Sequence, residues 1–175
     1  KIENLHRCVE TSSGLKTQIF YAPASFFFHT LLPKPGDSYE SEIIINDEIL
    51  LKSGKQLRFI DVLVDESEIK VSLTGGIGRK KLKTSLSFFI LGLKATIIGF
   101  VERCANMPLV FFIKDSEGDI WQIGNLQNTA FFETSEITSG KKYEDNSGAA
   151  IAVGCNAQIF LYNNSLDHIA RPGDF

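Results

Sequence analysis

The chain has 175 residues, 43% of them hydrophobic and 22% charged, with a formal net charge of −3. That size and mixture fit one folded domain and exclude wholesale disorder. The acidic balance argues against generic nucleic-acid binding, which draws on a net basic surface. Cys8, Cys104 and Cys155 are odd in number, far apart and without a CxxC pair, so they read as buried reduced thiols. There is no signal-peptide pattern, and no apolar run approaches the ~20 residues that span a bilayer. The protein is therefore expected to be intracellular when made.

Taken in order, residues 1–16 carry few periodic apolar positions and read as an arm. Residues 17–22 (TQIFYA) alternate well enough for a first strand. Residues 23–42 make a long connection. Phe26, Phe27 and Phe28, then Leu31 and Leu32, precede Pro33 and Pro35, which forbid a central strand. So long a connection in a compact domain is usually functional. Its aromatics either tuck back over the core or offer a contact surface to another chain.

Residues 43–52 and 56–64 read as two strands joined by a hairpin loop at Ser53, Gly54 and Lys55. Residues 68–73 set Ile69, Val71 and Leu73 against Glu68, Lys70 and Ser72. Residues 82–91 repeat the alternation, with Leu82, Leu86, Phe88 and Ile90 opposite Lys83, Ser85 and Ser87. Half-wet strands of this kind cover one side of a core and show the other to water. A basic glycine-rich loop, residues 74–81, lies between them.

The principal helix is predicted over residues 93–105, where Leu93, Ile97, Val101 and Cys104 recur at three- and four-residue steps. Asn106 and Pro108 stop it, because proline lacks the N–H a further turn needs. Residues 109–113 (LVFFI) read as a strand buried on both faces. A turn at 115–118 returns the chain as its partner, residues 119–124. Residues 129–138 and 149–161 give two more strands. In the second, Ile151, Val153, Cys155, Ala157 and Ile159 share a face. Ala150, Ala152 and Gly154 leave its other face small enough for a helix or another subunit to come close. Residues 166–175 read as a polar tail. The pattern as a whole is mainly β with one helix.

Chemistry is sparse. Gly75, Gly76, Gly78, Arg79 and Lys80 suggest a phosphate loop, but a strand follows where a helix N-terminus is required. Asp115, Glu117 and Asp119 have calcium-like spacing without the later bidentate glutamate, and a charged hairpin turn accounts for them. His6, His29 and His168 fall in three separate regions at no metal-ligand spacing. GxSxG and HExxH are absent from the sequence. Nothing here asks for catalysis, a metal or a cofactor.

One pattern resembles a known family. Leu91-Gly92-Leu93-Lys94 opening the helix, the strand Leu109-Val110-Phe111-Phe112-Ile113, the turn Asp115-Ser116-Glu117-Gly118 and the strand Ile120-Trp121-Gln122-Ile123-Gly124 resemble the centre of bacteriophage tail tube proteins, in particular those of Bacteroidetes phages and prophages. The similarity continues through Thr138-Ser139-Gly140-Lys141-Lys142 and from Asp145 to Gly148, and upstream at Tyr21-Ala22-Pro23 and Leu32-Pro33. The Phe-rich segment and the Gly-Arg-Lys loop depart from it.

The resemblance implies a β-sandwich or partial barrel of antiparallel strands flanked by one helix. It implies a virion structural protein, not an enzyme, whose rings of six stack into a hollow tube. DNA would pass through the lumen without specific binding. Partners would be the chain itself and other tail proteins (baseplate, terminator, tape measure and, in contractile tails, sheath), and no membrane. The protein would reside in the virion tail after assembly in the host bacterial cytoplasm. Relatives build the tubes of contractile injection machines.

On this reading the long loops make the subunit interfaces, through Phe26, Phe27, Phe28, Leu31 and Leu32 and through Arg79, Lys80 and Lys81. The polar faces Glu68, Lys70 and Ser72 with Lys83, Ser85 and Ser87 are expected on the lumen. These bring two lysines against one glutamate, so acidic residues from other strands or loops have to offset them. The alternative is a soluble β-barrel or sandwich that binds a small ligand or partner protein. An enzyme would need a cluster of catalytic groups assembled from distant positions.

Overall fold

The protein is described by a computed structural model covering residues 15–29, 32–140, 146–167 and 169–172. In chain order it contains β1 (Leu15–Pro23), β2 (Ile44–Ile45), β3 (Leu57–Asp61), β4 (Glu68–Thr74), β5 (Lys81–Leu91) and the helix α1 (Ala95–Cys104). There follow β6 (Leu109–Asp115), β7 (Ile120–Ile123), β8 (Phe131–Thr138), β9 (Gly148–Cys155), β10 (Phe160–Tyr162) and β11 (Ala170–Pro172). A seven-stranded sheet runs β11-β3-β1-β6-β7-β10-β2, and a four-stranded sheet runs β4-β5-β9-β8. Pairing is antiparallel except for β10 with β2 and β11 with β3. The fold is mainly β, a sandwich or partial barrel with one helix, as the sequence predicts.

Strand β6 is the shared wall. Leu109, Val110, Phe111, Phe112 and Ile113 are each 0% exposed. Successive side chains of a strand point to opposite faces. Leu109, Phe111 and Ile113 therefore enter one core with Leu86, Phe88 and Ile90 of β5, Ile151 and Val153 of β9, and α1. Val110 and Phe112 enter a second core with Phe20, Phe27, Ile45, Ile49 and Tyr162. The run of five apolar residues is thus a strand buried on both faces, as expected.

The helix differs in detail. Gly92 at φ +98° and extended Lys94 keep residues 92–94 out of it, and Leu93 is 51% exposed. Ile97, Phe100 and Cys104 form the buried face, with Val101 half-buried beside them. Phe100 takes the place expected for Leu93, because positions three and seven apart share a helix face.

Three further expectations are corrected. Residues 43–52 and 56–64 form no hairpin, since only Ile44–Ile45 is a strand and it pairs with β10, while β3 pairs with β1 and β11. Polar Asn46, Asp47 and Glu48 interrupt the apolar run, and residues beyond them turn back to the long connection: Phe28 N–H donates to Leu50 O and Lys52 N–H to Phe26 O, at 2.9 and 2.8 Å. The expected strand 149–161 divides into β9 and β10, in different sheets, and the crossing is held where the Thr84 hydroxyl donates to Ala157 O at 2.7 Å. The expected polar tail docks: Leu166 is fully buried, and β11 lies parallel to β3. Of the arm expected over residues 1–16, Leu15 and Lys16 instead open β1, and residues 1–14 lie outside the described residues, as do 173–175. No helix among the described residues is long and apolar enough to cross a membrane.

Candidate functional site

The four-stranded sheet turns one face to the core and the other outward. Register places Glu68 opposite Ser87, Lys70 opposite Ser85 and Ser72 opposite Lys83, so the six residues singled out as a polar wall share the outward face. The same register adds Lys81 from β5, small Ala150, Ala152 and Gly154 from β9, and Phe131 and Glu136 from β8. A bulge in β8 between Phe132 and Thr134 frees Glu133, whose Oε1 lies 2.7 Å from Lys83 Nζ. That ion pair reaches across β9. The Glu133 carboxylate occupies the space a Cβ would take at Gly154, so this part of the small face makes room for a side chain of the same sheet.

Charge on the face now balances, with Lys70, Lys81 and Lys83 against Glu68, Glu133 and Glu136. The acids were missed in the sequence because the bulge breaks the period-two alternation that marks a face.

Strand β4 is one edge of this sheet and β8 the other. The apolar side of β4, expected on the core, reaches it only at half-buried Ile69. Val71 is 40% exposed, Leu73 63% and Ile77 in the turn 100%. A cleft of about 350 Å³ beneath β4, lined by Ile69, Val71, Trp121 and Ile159, marks where the two sheets splay apart. Arg79 N–H closes the turn by donating to Gly76 O at 3.0 Å. Arg79, Lys80 and Lys81 are exposed, and no ion pair among the described residues engages them.

The aromatic segment divides. Phe27 is 3% exposed, with its ring 6.3 Å from Phe112, so it belongs to the subunit's own second core and is not available as an interface residue. Phe26 is half-buried under Lys55, whose Nζ lies 4.8 Å from the ring centroid, and Leu32 packs half-buried on the same core. A single 3-10 turn at Ala24–Phe26, directly after Pro23, sends the chain back across the sheet and tucks these side chains in. Phe28 alone of the three stays at the surface, 67% exposed and edge-on to His29. Leu31 lies outside the described residues.

Asp115, Glu117 and Asp119 bring ligand oxygens within 4.8 Å of one another. Asp115 Oδ1 accepts the N–H groups of Glu117, Gly118 and Asp119 at 2.9, 2.9 and 3.0 Å, and Oδ2 accepts Trp121 Nε1–H at 2.9 Å. The carboxylate is thereby committed to folding the turn, with Gly118 at φ +98° completing it. Cys104 and Cys155 are free and buried, and Cys8 lies outside the described residues. Burial pushes the Cys104 thiol up to about 11 and raises Cys155 as well. A groove of about 950 Å³ runs between α1 and the ends of β1 and β3, lined by Tyr21, Phe26, Arg58, Phe100, Arg103 and Met107. Comparison of the chain with protein-family models, curated proteins and solved structures finds no match.

Proposed function

We propose that this chain is the subunit of a phage tail tube, assembling into stacked rings of six around a lumen. The carrying observation is the four-stranded sheet: two edges that no strand among the described residues pairs, a charge-balanced polar outer face, and an apolar flank at β4 that the described residues leave uncovered. An open edge with an apolar flank invites pairing with another strand. Joining β4 of one copy to β8 of the next would cover both. Six copies would supply about 24 strands, and at roughly 4.8 Å per strand a closed wall of that size has a backbone diameter of about 37 Å before tilt. That leaves space for a nucleic-acid duplex once side chains are subtracted. A wall with balanced charge suits passage, since bound phosphates would hold the DNA back. The protein would act without catalysis or cofactor, in the virion tail.

The test is negative-stain microscopy and sedimentation of the purified protein. Rings or tubes are expected, and a species that remains monomeric at high concentration overturns the reading. The groove beside α1 favours the second reading, a small β module that binds a ligand. Such a module stays small whatever its concentration.

A further inference from the structure

We infer that the basic tip of the β4–β5 hairpin of one copy docks on the acidic segment 37–48 of another, a contact that rests on the tube reading above. The tip presents Leu73 and Ile77, 63% and 100% exposed, beside Arg79, Lys80 and Lys81. Apolar side chains this open, next to three cations that no ion pair among the described residues engages, are a surface suited to contact with another chain.

Segment 37–48 is its complement. It carries five carboxylates, Asp37, Glu40, Glu42, Asp47 and Glu48, and neither lysine nor arginine. All five residues are exposed. One of them, Asp47, is held by Lys34 at 2.8 Å, and no ion pair among the described residues engages the other four. Tyr39, 93% exposed, offers an aromatic face among them. The segment is also well supported. Ser38 and Ser41 exchange hydrogen bonds, and Ile45 at its centre is buried in the second core. An ordered acceptor costs little entropy when a partner binds.

Placement makes the contact intermolecular. Segment 37–48 lies on the second core, on the side of the seven-stranded sheet away from the four-stranded one, whereas the tip extends the four-stranded sheet. The two patches are different, so the contact is head-to-tail, and such contacts propagate from copy to copy unless rotation closes them. Stacked rings need that property. Each contact is small, but the six of a ring act together and multiply their strength. Charge complementarity fixes the register and partner choice, while Ile77 and Tyr39 supply apolar area.

The experiment uses two full-length variants. One carries Arg79→Glu, Lys80→Glu and Lys81→Glu, and the other Glu40→Lys, Glu42→Lys and Glu48→Lys. All six positions are exposed, and circular dichroism matching the wild type confirms that both fold. Each variant alone is expected to lose tubes and to stop at single rings or smaller species, because its two patches now repel. Mixed in equal amounts they are expected to regain tubes, since each tip again meets an opposite charge. Wild-type tubes that persist in either variant alone, or a mixture that fails to recover them, overturn the docking while leaving the tube reading intact. A wild type that forms neither rings nor tubes overturns the tube reading itself.

Discussion

Strands β4 and β6 are each seven residues long and each carries apolar side chains, yet their fates are opposite. In β6 five successive residues are fully buried. In β4 no residue is buried, and its apolar side opens to solvent beyond Ile69. The difference lies in the neighbours. Strand β6 has β1 and β7 beside it and a core on each face, whereas β4 has β5 alone, at an edge where the sheets part. Apolar patterning states which face wants cover, and topology decides whether the same molecule supplies it. Where it does not, the face stays open to solvent, as at Val71 and Leu73.

The contrast breaks first at the centre. Phe111→Ala should lower unfolding free energy by about 3–5 kcal/mol, because a fully enclosed ring leaves a cavity that a close-packed core does not refill. A urea titration showing a loss under about 1 kcal/mol would contradict the shared-wall description. Ile97→Asp, which buries a charge beneath α1, should prevent folding altogether, and soluble folded protein from that variant would place Ile97 elsewhere.

Next comes the end of β6. Asp115→Ala strands three amides and the Trp121 indole N–H at a hairpin turn, and should cost about 1–3 kcal/mol with a change in the tryptophan fluorescence. An unchanged midpoint would mean that water replaces the carboxylate freely.

Alkali sharpens the comparison. The Cys104 thiol is raised from 9.0 to about 11 by burial, so the folded state favours the neutral form. Its contribution is fully present below pH 9 and is lost as pH rises through about 11. Stability should therefore decline over that window, and the decline should be shallower in Cys104→Ala. Equal slopes would remove Cys104 from the account.

The smallest effect on stability belongs to the edge. Val71→Asp with Leu73→Asp should lower the unfolding free energy by only about 1 kcal/mol each, mostly through lost strand preference, since both side chains are largely open to solvent. The same pair should abolish assembly seen by sedimentation. A large loss of stability would mean that β4 is covered within the subunit after all.

How much of this was legible depends on range. Residues 109–113 betray a doubly buried strand, and Asp115 and Gly118 its turn, because both signals are local. The polar faces of β4 and β5 also follow from alternation alone. Phe27 and Phe28 are adjacent and chemically identical, and only the 3-10 turn at Ala24–Phe26 decides which one is enclosed. Leu166 looks like part of a polar tail because its partners in the second core lie far away in the chain. Glu133 is hidden by a bulge, which has no marker in a single sequence. What sequence reading missed was long-range pairing and the local irregularities that re-aim a side chain.

The pairing pattern also sets an order of events as the chain is made. Strands β4 and β5 meet through a six-residue turn, with Thr74 opposite Lys81, and can zip as soon as both exist. The seven-stranded sheet waits far longer, since Tyr21 must find Phe111 and Leu57 must find Ala170. Closing such distances is slow, and partly folded chains with open edges associate wrongly in the interval. During that interval nascent chains display an oily edge before any core exists to compete for it. Arg79, Lys80 and Lys81 follow that edge with the same sign on every copy, and like charges beside an open strand oppose its pairing with another chain.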